Sequence, residues 1–351
     1  MRIAIIVPRI DQLGPVKVIQ TLVNSLSKNE TLKINLFYLD RNVDPHVNLV
    51  VPTEQLDHRH FRFGDYDIIH TTGIRPDLFA FINRRKIKCH ISTIHNFVFE
   101  DLTFTYNRLI SFLFGSIWLI LWKRADKLVC VSEVLKAYYT KWFPSEKLEA
   151  IHNGIAETDN LIVPDAEVIE VILNFKSKGY KVLGTAGVLN KLKGIDQLLN
   201  LIATEKRHSL VIFGKGKEFK NLNYLAEKLK ISERCRFLGF RSNAVNYFKY
   251  FDSVIIPSRS EGFGLALVEA VQQKVPLICS DLPVFKELFN SDEVTFFKLE
   301  DITSLTQSLI TSLELGNTKA NLAYARYKDQ FTDHVMAKKY YDLYFALSSV
   351  L

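Results

Sequence analysis

The stretch VIIPSRSEGFGLALVEA, residues 254–270, contains the transition that decides the fold: an apolar β-branched run, a short loop and a helical pattern. The run ends at Pro257, the loop carries Gly262 and Gly264, and the helical pattern begins near Leu265. Glycines in such a turn let backbone amides approach a ligand, and a helix N-terminus suits a phosphate. The stretch predicts one βα unit of a parallel sheet, with an anion-binding turn at its carboxyl end.

The same alternation of short apolar runs with longer amphipathic stretches extends over both halves of the chain. The first half contains the strand-like runs Ile3–Val7, Leu36–Leu39, Asp67–His70, His90–His95, Leu128–Val131 and Leu148–Ile151. The second half contains the runs Lys181–Ala186, Leu210–Phe213, Cys235–Leu238, Val254–Pro257, Val275–Cys279 and Val294–Phe297. Both halves therefore belong to the α/β class, each with its own parallel sheet.

A polar, turn-rich segment without periodicity, residues 153–167, separates the two halves. We place the domains at 1–160 and 161–332, and we expect the final helical stretch, 333–351, to pack back on the first domain. Two doubly wound, Rossmann-like domains would set the carboxyl ends of their strands across a shared cleft, where such sheets bind ligands.

The composition is typical of a globular chain that needs no disulfide or metal to fold. Its 351 residues correspond to about two domains. The four cysteines are far apart and form no CxxC or Cys/His pattern, so we interpret them as small core residues. The net charge of +7 is spread over both halves and favours an anionic partner, whereas no nucleic-acid-binding motif is present.

One apolar stretch, LISFLFGSIWLILW (109–122), stands apart from the alternation. Its 14 residues would span only about 21 Å as a helix, short of the roughly 30 Å hydrocarbon core of a bilayer. It is either a buried helix that leads into the strand at 127–131, or a helix whose exposed side, flanked by Lys123 and Arg124, dips into a membrane interface. The opening MRIAIIVPRI predicts a buried strand and no signal peptide, so we expect a cytoplasmic protein, peripheral on the inner face of the plasma membrane under the second interpretation.

Two carboxylates frame the glycine turn. Glu261 lies at its mouth and Glu269 lies about one turn into the helix, with seven residues between them. The first can accept hydrogen bonds from the hydroxyls of one ring, and the second can do the same for a neighbouring ring. Two sugars linked by a diphosphate, which the helix N-terminus can bind, would satisfy this arrangement.

This Glu-x7-Glu stretch resembles the motif of retaining GT-B glycosyltransferases, in particular the family 4 (group 1) enzymes of bacterial polysaccharide biosynthesis, which use nucleotide sugars. Other segments resemble the family in the same order along the chain. They are ISTIHNF (91–97), ADKLVCVSE (125–133), AIHNGI (150–155), GVLNKLKGIDQLL (187–199), VIFGKGKEFKNL (211–222) and RFLGF (236–240). The resemblance implies the GT-B fold: two Rossmann-like domains facing a central cleft, the first for the acceptor and the second for the nucleotide sugar.

The resemblance also implies a role for each matching residue. His95, Glu261 and Lys193 are the expected catalytic residues: His95 faces the donor sugar near its anomeric centre, Glu261 binds the sugar hydroxyls, and Lys193 neutralises the diphosphate leaving group. Glu269 is expected to bind the ribose hydroxyls. Further contacts to the donor are expected from Gly14, Gly239, Gly262, Phe263, Gly264 and Leu265.

Two positions depart from the family pattern. The first loop of the family has two glycines, whereas here Gly14 is followed by Pro15. The family also pairs its lysine with an arginine five residues earlier, and that position is Val188. Valine cannot replace a bidentate phosphate donor, so Lys191 and Arg259 are candidates for the missing positive charge.

Other hypotheses remain open at this point. A nucleotide-sugar epimerase of the same fold would keep the donor site, and a non-catalytic relative would bind the donor without transfer. A Rossmann dehydrogenase is disfavoured because no GxGxxG follows the first strand. His70 ends a strand and is a candidate supporting residue, whereas the DxD at Asp65–Asp67 precedes its strand and is interpreted as a turn.

The resemblance thus predicts a retaining hexosyltransferase. It would move a hexose or N-acetylhexosamine from a nucleotide sugar, UDP favoured over GDP, to a glycan or polyprenyl-diphosphate-linked glycan precursor of lipopolysaccharide or capsule. We expect neither an essential metal nor a cofactor beyond this co-substrate, and no nucleic-acid partner. An anionic membrane surface is the further partner that the membrane interpretation of residues 109–122 implies.

Overall fold

The computed structural model of the protein describes residues 1–11, 14–41, 44, 47–157 and 165–349. The chain forms two compact units. Unit 1 comprises Met1–Ala156 and Gln330–Leu351, and unit 2 comprises Glu157–Asp329. The expected domain boundary between residues 160 and 161 lies outside the described residues.

Unit 1 is built, over its described residues, on a seven-stranded parallel sheet in the order β3-β2-β1-β4-β5-β6-β7. Its strands are β1 (Arg2–Val7), β2 (Lys33–Tyr38), β3 (Thr53–Gln55), β4 (Ile68–Thr72), β5 (Cys89–Ile94), β6 (Lys127–Cys130) and β7 (Leu148–Ala150). The helices between them are α1 (Gly14–Leu26), α2 (Ile74–Ile82), α3 (Val98–Thr105), α4 (Arg108–Trp122) and α5 (Glu133–Tyr139). The six predicted strands are present, and the short edge strand β3 was missed because its residues are polar and exposed.

Unit 2 contains, over its described residues, a six-stranded parallel sheet in the order β10-β9-β8-β11-β12-β13. Its strands are β8 (Lys181–Ala186), β9 (His208–Phe213), β10 (Cys235–Phe237), β11 (Ser253–Ile256), β12 (Leu277–Ser280) and β13 (Thr295–Phe297). Its helices are α6 (Ala166–Ser177), α7 (Ile195–Thr204), α8 (Phe219–Lys228), α9 (Leu265–Gln272), α10 (Pro283–Leu288) and α11 (Ile302–Gln330). All six strands predicted for the second half are present.

The strand order of unit 2 places two loops side by side. β8 lies between β9 and β11, so the chain reverses its direction of progress across the sheet at β8. The loops that follow β8 and β11 therefore leave neighbouring strands at the same carboxyl edge, which is where doubly wound sheets bind ligands. The first loop carries Lys193 and the second carries Glu261. This topology explains why residues 68 positions apart come into contact.

The final helix, α12 (Asp333–Ser348), packs against α1 of unit 1. The Tyr344 hydroxyl shares a hydrogen bond of 2.6 Å with Nδ1 of His70, whose Nε2 lies 2.7 Å from Thr93 Oγ1. Burial lowers the pKa of His70 to about 3, so the imidazole is neutral at pH 7. These contacts correct our interpretation of His70: it ties the sheet to α12 instead of supporting the candidate site.

The four cysteines, Cys89, Cys130, Cys235 and Cys279, are buried and free of disulfides. Burial raises the pKa of each thiol, which keeps it protonated and unreactive. The interpretation of these residues as core side chains is confirmed. Within the part of the chain that the structure describes, no helix is long and apolar enough to cross a bilayer.

Candidate active site

Lys193 is held by the loop that follows β8. It ends a one-turn 3-10 helix, Lys191–Lys193, whose first turn is capped by Asn190. The Asn190 side chain accepts a hydrogen bond of 3.1 Å from the backbone N–H of Lys193. Gly194 follows with a φ of 62°, the left-handed conformation that glycine adopts at little cost. The cap and the glycine together fix the backbone from which the Lys193 side chain extends.

The Lys193 ammonium contacts the Glu261 carboxylate in the neighbouring loop. Nζ donates a hydrogen bond of 2.5 Å to Oε1 of Glu261, and Ser258 Oγ donates a second, of 2.8 Å, to the same oxygen. The side chain of Glu261 is 12% exposed and that of Lys193 is 28% exposed, so the pair is screened from water but accessible. The structure thus brings together two of the three residues predicted to be catalytic.

Arg259 fastens these two loops to each other. Its guanidinium donates to both oxygens of Asp196, at 2.9 and 2.7 Å, and to the backbone carbonyl of Lys191 at 2.7 Å, while Nε donates to Glu300. The paired carboxylates raise the pKa of Arg259 further above its usual value. The sequence named Lys191 and Arg259 as candidates for the missing positive charge. In the structure two carboxylates pair with Arg259, and these contacts give it a positioning role, whereas the side chain of Lys191 is exposed. Contact of either residue with a phosphate stays a prediction.

The glycine turn leads directly into α9. Gly262, Phe263 and Gly264 are buried, and Gly264 has a φ of 98°. A Cβ atom at Gly264 would lie 2.5 Å from the Phe285 ring, so only glycine fits between the turn and α10. Glu269 lies in the second turn of α9 and is half-buried.

A second cation, which sequence reasoning missed, lies beside the loop that carries Val188. The backbone N–H of Leu189 donates to the Lys215 carbonyl at 3.0 Å, and Gly214 N–H donates to the Gly239 carbonyl at 2.8 Å. The Lys215 ammonium lies 5.0 Å from the ring centre of the exposed Phe240. The sequence Gly-Lys-Gly at 214–216 could have pointed to Lys215, because a lysine between the two glycines of a turn lies close to the edge of the sheet.

The site residues predicted for the first half lie in unit 1. Gly14 is the first residue of α1, and its neighbours 12 and 13 lie outside the described residues. His95 follows β5, and its Nε2 atom is buried with no hydrogen-bond partner among the described residues. Burial lowers the pKa of His95 to about 4, so the ring is neutral at pH 7 and can accept or donate one hydrogen bond there.

The second aspartate of the formal DxD in unit 1, Asp67, makes structural contacts. The Asp67 carboxylate accepts from the backbone N–H of Arg2 at 2.9 Å and from the Lys88 ammonium at 3.1 Å. These bonds lower the pKa of Asp67 and fix the chain before β4. Among the residues that the structure describes, no three His, Cys, Asp or Glu side chains are grouped as metal ligands. Metal independence stays a prediction.

Comparison with known proteins identifies the family. Residues 27–158 match Glycosyltransferase Family 4, and residues 171–329 match Glycosyl transferases group 1. The chain is 32% identical to the O-antigen biosynthesis glycosyltransferase WclY of Escherichia coli, over 98% of both chains. The chain belongs to the family 4, group 1 glycosyltransferases.

More distant relatives of this glycosyltransferase share parts of its sequence or its fold. One is the UDP-Gal:alpha-D-GlcNAc-diphosphoundecaprenol alpha-1,3-galactosyltransferase of Escherichia coli, 25% identical over 70% of this chain and 66% of that protein. The solved structure of Anabaena HepE in complex with UDP-glucose matches with a TM-score of 0.78 and 16% identity, over 100% of both chains. The two Rossmann-like units are those of the GT-B fold, as the resemblance predicted.

Replacing Gly194 by Ala is expected to destabilise unit 2 of the glycosyltransferase by about 2–4 kcal/mol. An added Cβ would lie 2.1 Å from the carbonyl oxygen of Pro257, a backbone atom that cannot move without shifting the Glu261 loop. Gly179 is a matched control, because its φ is 81° but nothing lies within 4 Å of its Cβ position. Gly179→Ala should cost about 1 kcal/mol, from backbone conformation alone. Urea unfolding of the two variants measures the difference, and equal losses would contradict the packing argument.

Proposed function

We propose that this glycosyltransferase retains the anomeric configuration of its donor and transfers a hexose or N-acetylhexosamine from a UDP-sugar to a lipid-linked glycan precursor of a bacterial surface polysaccharide. The observation that supports this proposal most directly is the 2.5 Å contact between Lys193 and Glu261. A cation and a carboxylate, side by side at the carboxyl edge of the sheet, are suited to bind the phosphate and the sugar of one donor molecule.

We assign the parts of the donor molecule to site residues by their charge. Binding of a diphosphate would supply the Lys193 ammonium with a second anionic partner, while Glu261, an acceptor of hydrogen bonds only, suits sugar hydroxyls. Glu269, one turn into α9, is proposed to bind the ribose hydroxyls. Uridine is the favoured base because the galactosyltransferase relative carries UDP-Gal in its name and HepE was solved with UDP-glucose.

In the proposed reaction the acceptor oxygen forms its bond to the anomeric carbon on the face that the diphosphate leaves. The bond from this carbon to the phosphate oxygen breaks, and the acceptor hydroxyl proton passes to the departing phosphate oxygen. Lys193 neutralises the charge that develops on this oxygen, which is the protein's main electrostatic contribution. His95 keeps the role that the resemblance gives it, a contact to the donor sugar, as a neutral imidazole.

The proposed acceptor is a glycan carried on a polyprenyl diphosphate. WclY is named for O-antigen biosynthesis, and the galactosyltransferase relative is named for a diphosphoundecaprenol-linked acceptor. Transfer of radiolabelled sugar to a synthetic polyprenyl-diphosphate-linked N-acetylhexosamine, with proton NMR of the new anomeric linkage, tests both the acceptor and the stereochemistry. An inverted linkage would overturn the retaining assignment.

UDP at about one hundred times its dissociation constant is expected to stabilise the protein by about 2.7 kcal/mol, a rise in melting temperature of several degrees. Glu269→Ala should weaken this shift, whereas Glu170→Ala, an exposed carboxylate on α6, should leave it unchanged. A thermal-shift panel of UDP, GDP, ADP, CMP and NAD makes the measurement. If only NAD raised the melting temperature, or if none of the five compounds did, the proposed donor site would be contradicted.

Product analysis, read together with the thermal-shift panel, separates the alternative functions. A nucleotide-sugar epimerase would convert its donor in the absence of any acceptor. A non-catalytic relative would show the UDP shift without turnover, and the presence of Val188 where the family has arginine makes that outcome the relevant alternative. Product analysis with and without acceptor distinguishes all three.

A further inference from the structure

Helix α4 is anchored to unit 1 through a buried carboxylate. Asp77, which lies in α2 and has no exposed surface, accepts hydrogen bonds from the indole Nε1 atoms of Trp118 and Trp122 at 2.8 and 2.9 Å. Its other oxygen accepts from Thr71 and Ser92 at 2.5 and 2.7 Å. Two indole donors from one helix on one carboxylate oxygen fix the rotation of that helix about its axis. The structure therefore determines which side of α4 faces outward.

The outward side of α4 is almost entirely apolar. Its exposed apolar residues are Leu109, Phe112, Leu113, Phe114, Ile117 and Ile120, between 40% and 77% exposed, and Arg108 in the first turn is also exposed. The helices α2 and α3 both contact α4; α2 exposes Leu78 and Ile82, and α3 exposes Phe104. We call these nine apolar residues the α2–α4 face. A large exposed apolar surface of this kind marks an interaction site.

The charges around the α2–α4 face are mostly positive. Between residues 78 and 124 the only carboxylates are Glu100 and Asp101, in the first turn of α3. The same interval contains seven cations: Arg84, Arg85, Lys86, Lys88, Arg108, Lys123 and Arg124. Two of them are paired with carboxylates outside the interval, Arg84 with Asp126 and Lys88 with Asp67, which leaves five for a partner. Arg85, Lys86 and Lys123 are exposed, and the Arg124 guanidinium stacks on the Phe81 ring at 4.3 Å, beside the end of α2. The α2–α4 face is thus bordered by a basic cluster at the ends of α2 and α4.

We propose that the α2–α4 face is the surface by which unit 1 binds the interface of an anionic lipid bilayer. Its apolar and aromatic side chains would enter the boundary between headgroups and acyl chains, and the bordering cations would contact anionic headgroups. The helix of 15 residues would lie in the plane of the membrane, because it is too short to cross it. Charge complementarity selects the bilayer over a protein partner, since the basic border matches a surface of uniform negative charge.

Sedimentation with lipid vesicles tests the proposal. The full chain should bind vesicles that contain about one-third phosphatidylglycerol in phosphatidylcholine, and removing the two cations in Arg85→Ser/Lys123→Ser should weaken this binding about fivefold for each charge. Binding to vesicles of phosphatidylcholine alone should be weak and should not respond to that variant. Raised salt should weaken the anionic binding in the same direction.

Matched variants test the apolar residues of the face. Leu109→Gln/Leu113→Gln, which removes two leucines from the face, should lower the partition coefficient at least tenfold. The control is Leu173→Gln/Leu322→Gln, two leucines of unit 2 that are 59% and 50% exposed and lie on helices outside the face. It should bind as the wild type does. Equal losses in the two double variants, or no binding of the wild type to anionic vesicles, would overturn the proposal.

The proposal can fail without affecting the proposed function, and the reverse also holds. Vesicle binding requires no sugar nucleotide, and the UDP thermal shift requires no lipid. Both leucine variants should therefore keep the wild-type melting temperature and UDP shift. Loss of either in Leu109→Gln/Leu113→Gln would show that these leucines are structural, which would also count against membrane binding.

Discussion

Lys193→Met is expected to lower kcat/KM for sugar transfer by about two to three orders of magnitude. In the structure the ammonium contacts Glu261 at 2.5 Å, and the backbone of Lys193 belongs to a 3-10 turn that Asn190 caps and Gly194 ends. The position of the ammonium is therefore fixed before a ligand binds. Methionine keeps most of the length of the side chain and removes the charge that would stabilise a departing diphosphate. Initial-rate kinetics with the proposed UDP-sugar donor and the proposed polyprenyl-linked acceptor measures the effect, and most of it should appear in kcat.

Two comparisons make this result specific. Lys178→Met removes a cation from an exposed position after α6 and should change kcat/KM by less than about twofold. Lys193→Arg should recover part of the loss, because it restores the charge with a different geometry. If Lys193→Met retained more than about a tenth of the wild-type rate, the charge of Lys193 would not be the main electrostatic contribution to transfer.

Loss of the Lys193–Glu261 ion pair should also lower the stability of the protein. Lys193→Met removes the cation beside the mostly buried Glu261 carboxylate, which keeps its hydrogen bond from Ser258. The free energy of unfolding should fall by about 1–3 kcal/mol. Adding Glu261→Gln should recover most of that loss, because the unpaired charge is then gone. A double-mutant cycle from urea unfolding gives the coupling energy directly.

Unit 1 is expected to lose stability steeply as the pH falls below about 6.5. His70 and His90 are fully buried, and burial lowers the pKa of each to about 3. An unfolded histidine takes up its proton near pH 6.5, so below that pH the unfolded chain binds more protons than the folded chain does. Each histidine then removes about 1.4 kcal/mol per pH unit, or about 5 kcal/mol for the pair between pH 6.5 and about 4.5. His95, whose pKa burial lowers to about 4, adds a loss of the same sign over this interval.

One carboxyl contributes with the opposite sign. Burial raises the pKa of Asp77, so the folded chain takes up that proton first on acidification and recovers part of the loss. Far-ultraviolet circular dichroism in urea from pH 7 to pH 4.5 measures the slope. His90→Gln should flatten it by about one proton, and His58→Gln, at an exposed position, should not. A slope that is independent of both histidines would contradict the assignment.

Most strands could be predicted from the sequence, because parallel strands that are buried on both faces appear there as continuous apolar runs. The pattern placed β8 at Lys181–Ala186, the bounds that the structure has. It missed β3, whose TEQ sequence has no apolar residue and pairs only through its backbone at the sheet edge. Apolar patterning detects burial, and an exposed edge strand carries none of that signal.

Where a loop has a motif, the sequence could name single residues of the candidate site. The motifs name Glu261 and Lys193, which the structure places in contact, and the roles of both residues stay predictions. The positioning role of Arg259 was not predictable, because it depends on Asp196 and Glu300, which lie 63 and 41 residues away in the chain, and no sequence pattern shows that these carboxylates meet Arg259. For α4 the sequence left two interpretations, and it could not show which side of the helix is exposed, because that depends on the hydrogen bonds of its two tryptophans to Asp77. Membrane contact stays a proposal.

The anchoring of α4 by Asp77 has an optical consequence. The three tryptophans of the chain are Trp118, Trp122 and Trp142, and all belong to unit 1. Intrinsic fluorescence excited at the indole band therefore reports on unit 1 alone, and Trp118 and Trp122, with ring centres 5.3 Å apart, share one buried acceptor. Unit 2 is silent at that wavelength. Tryptophan fluorescence can thus follow the unfolding of the first unit by itself, without any label.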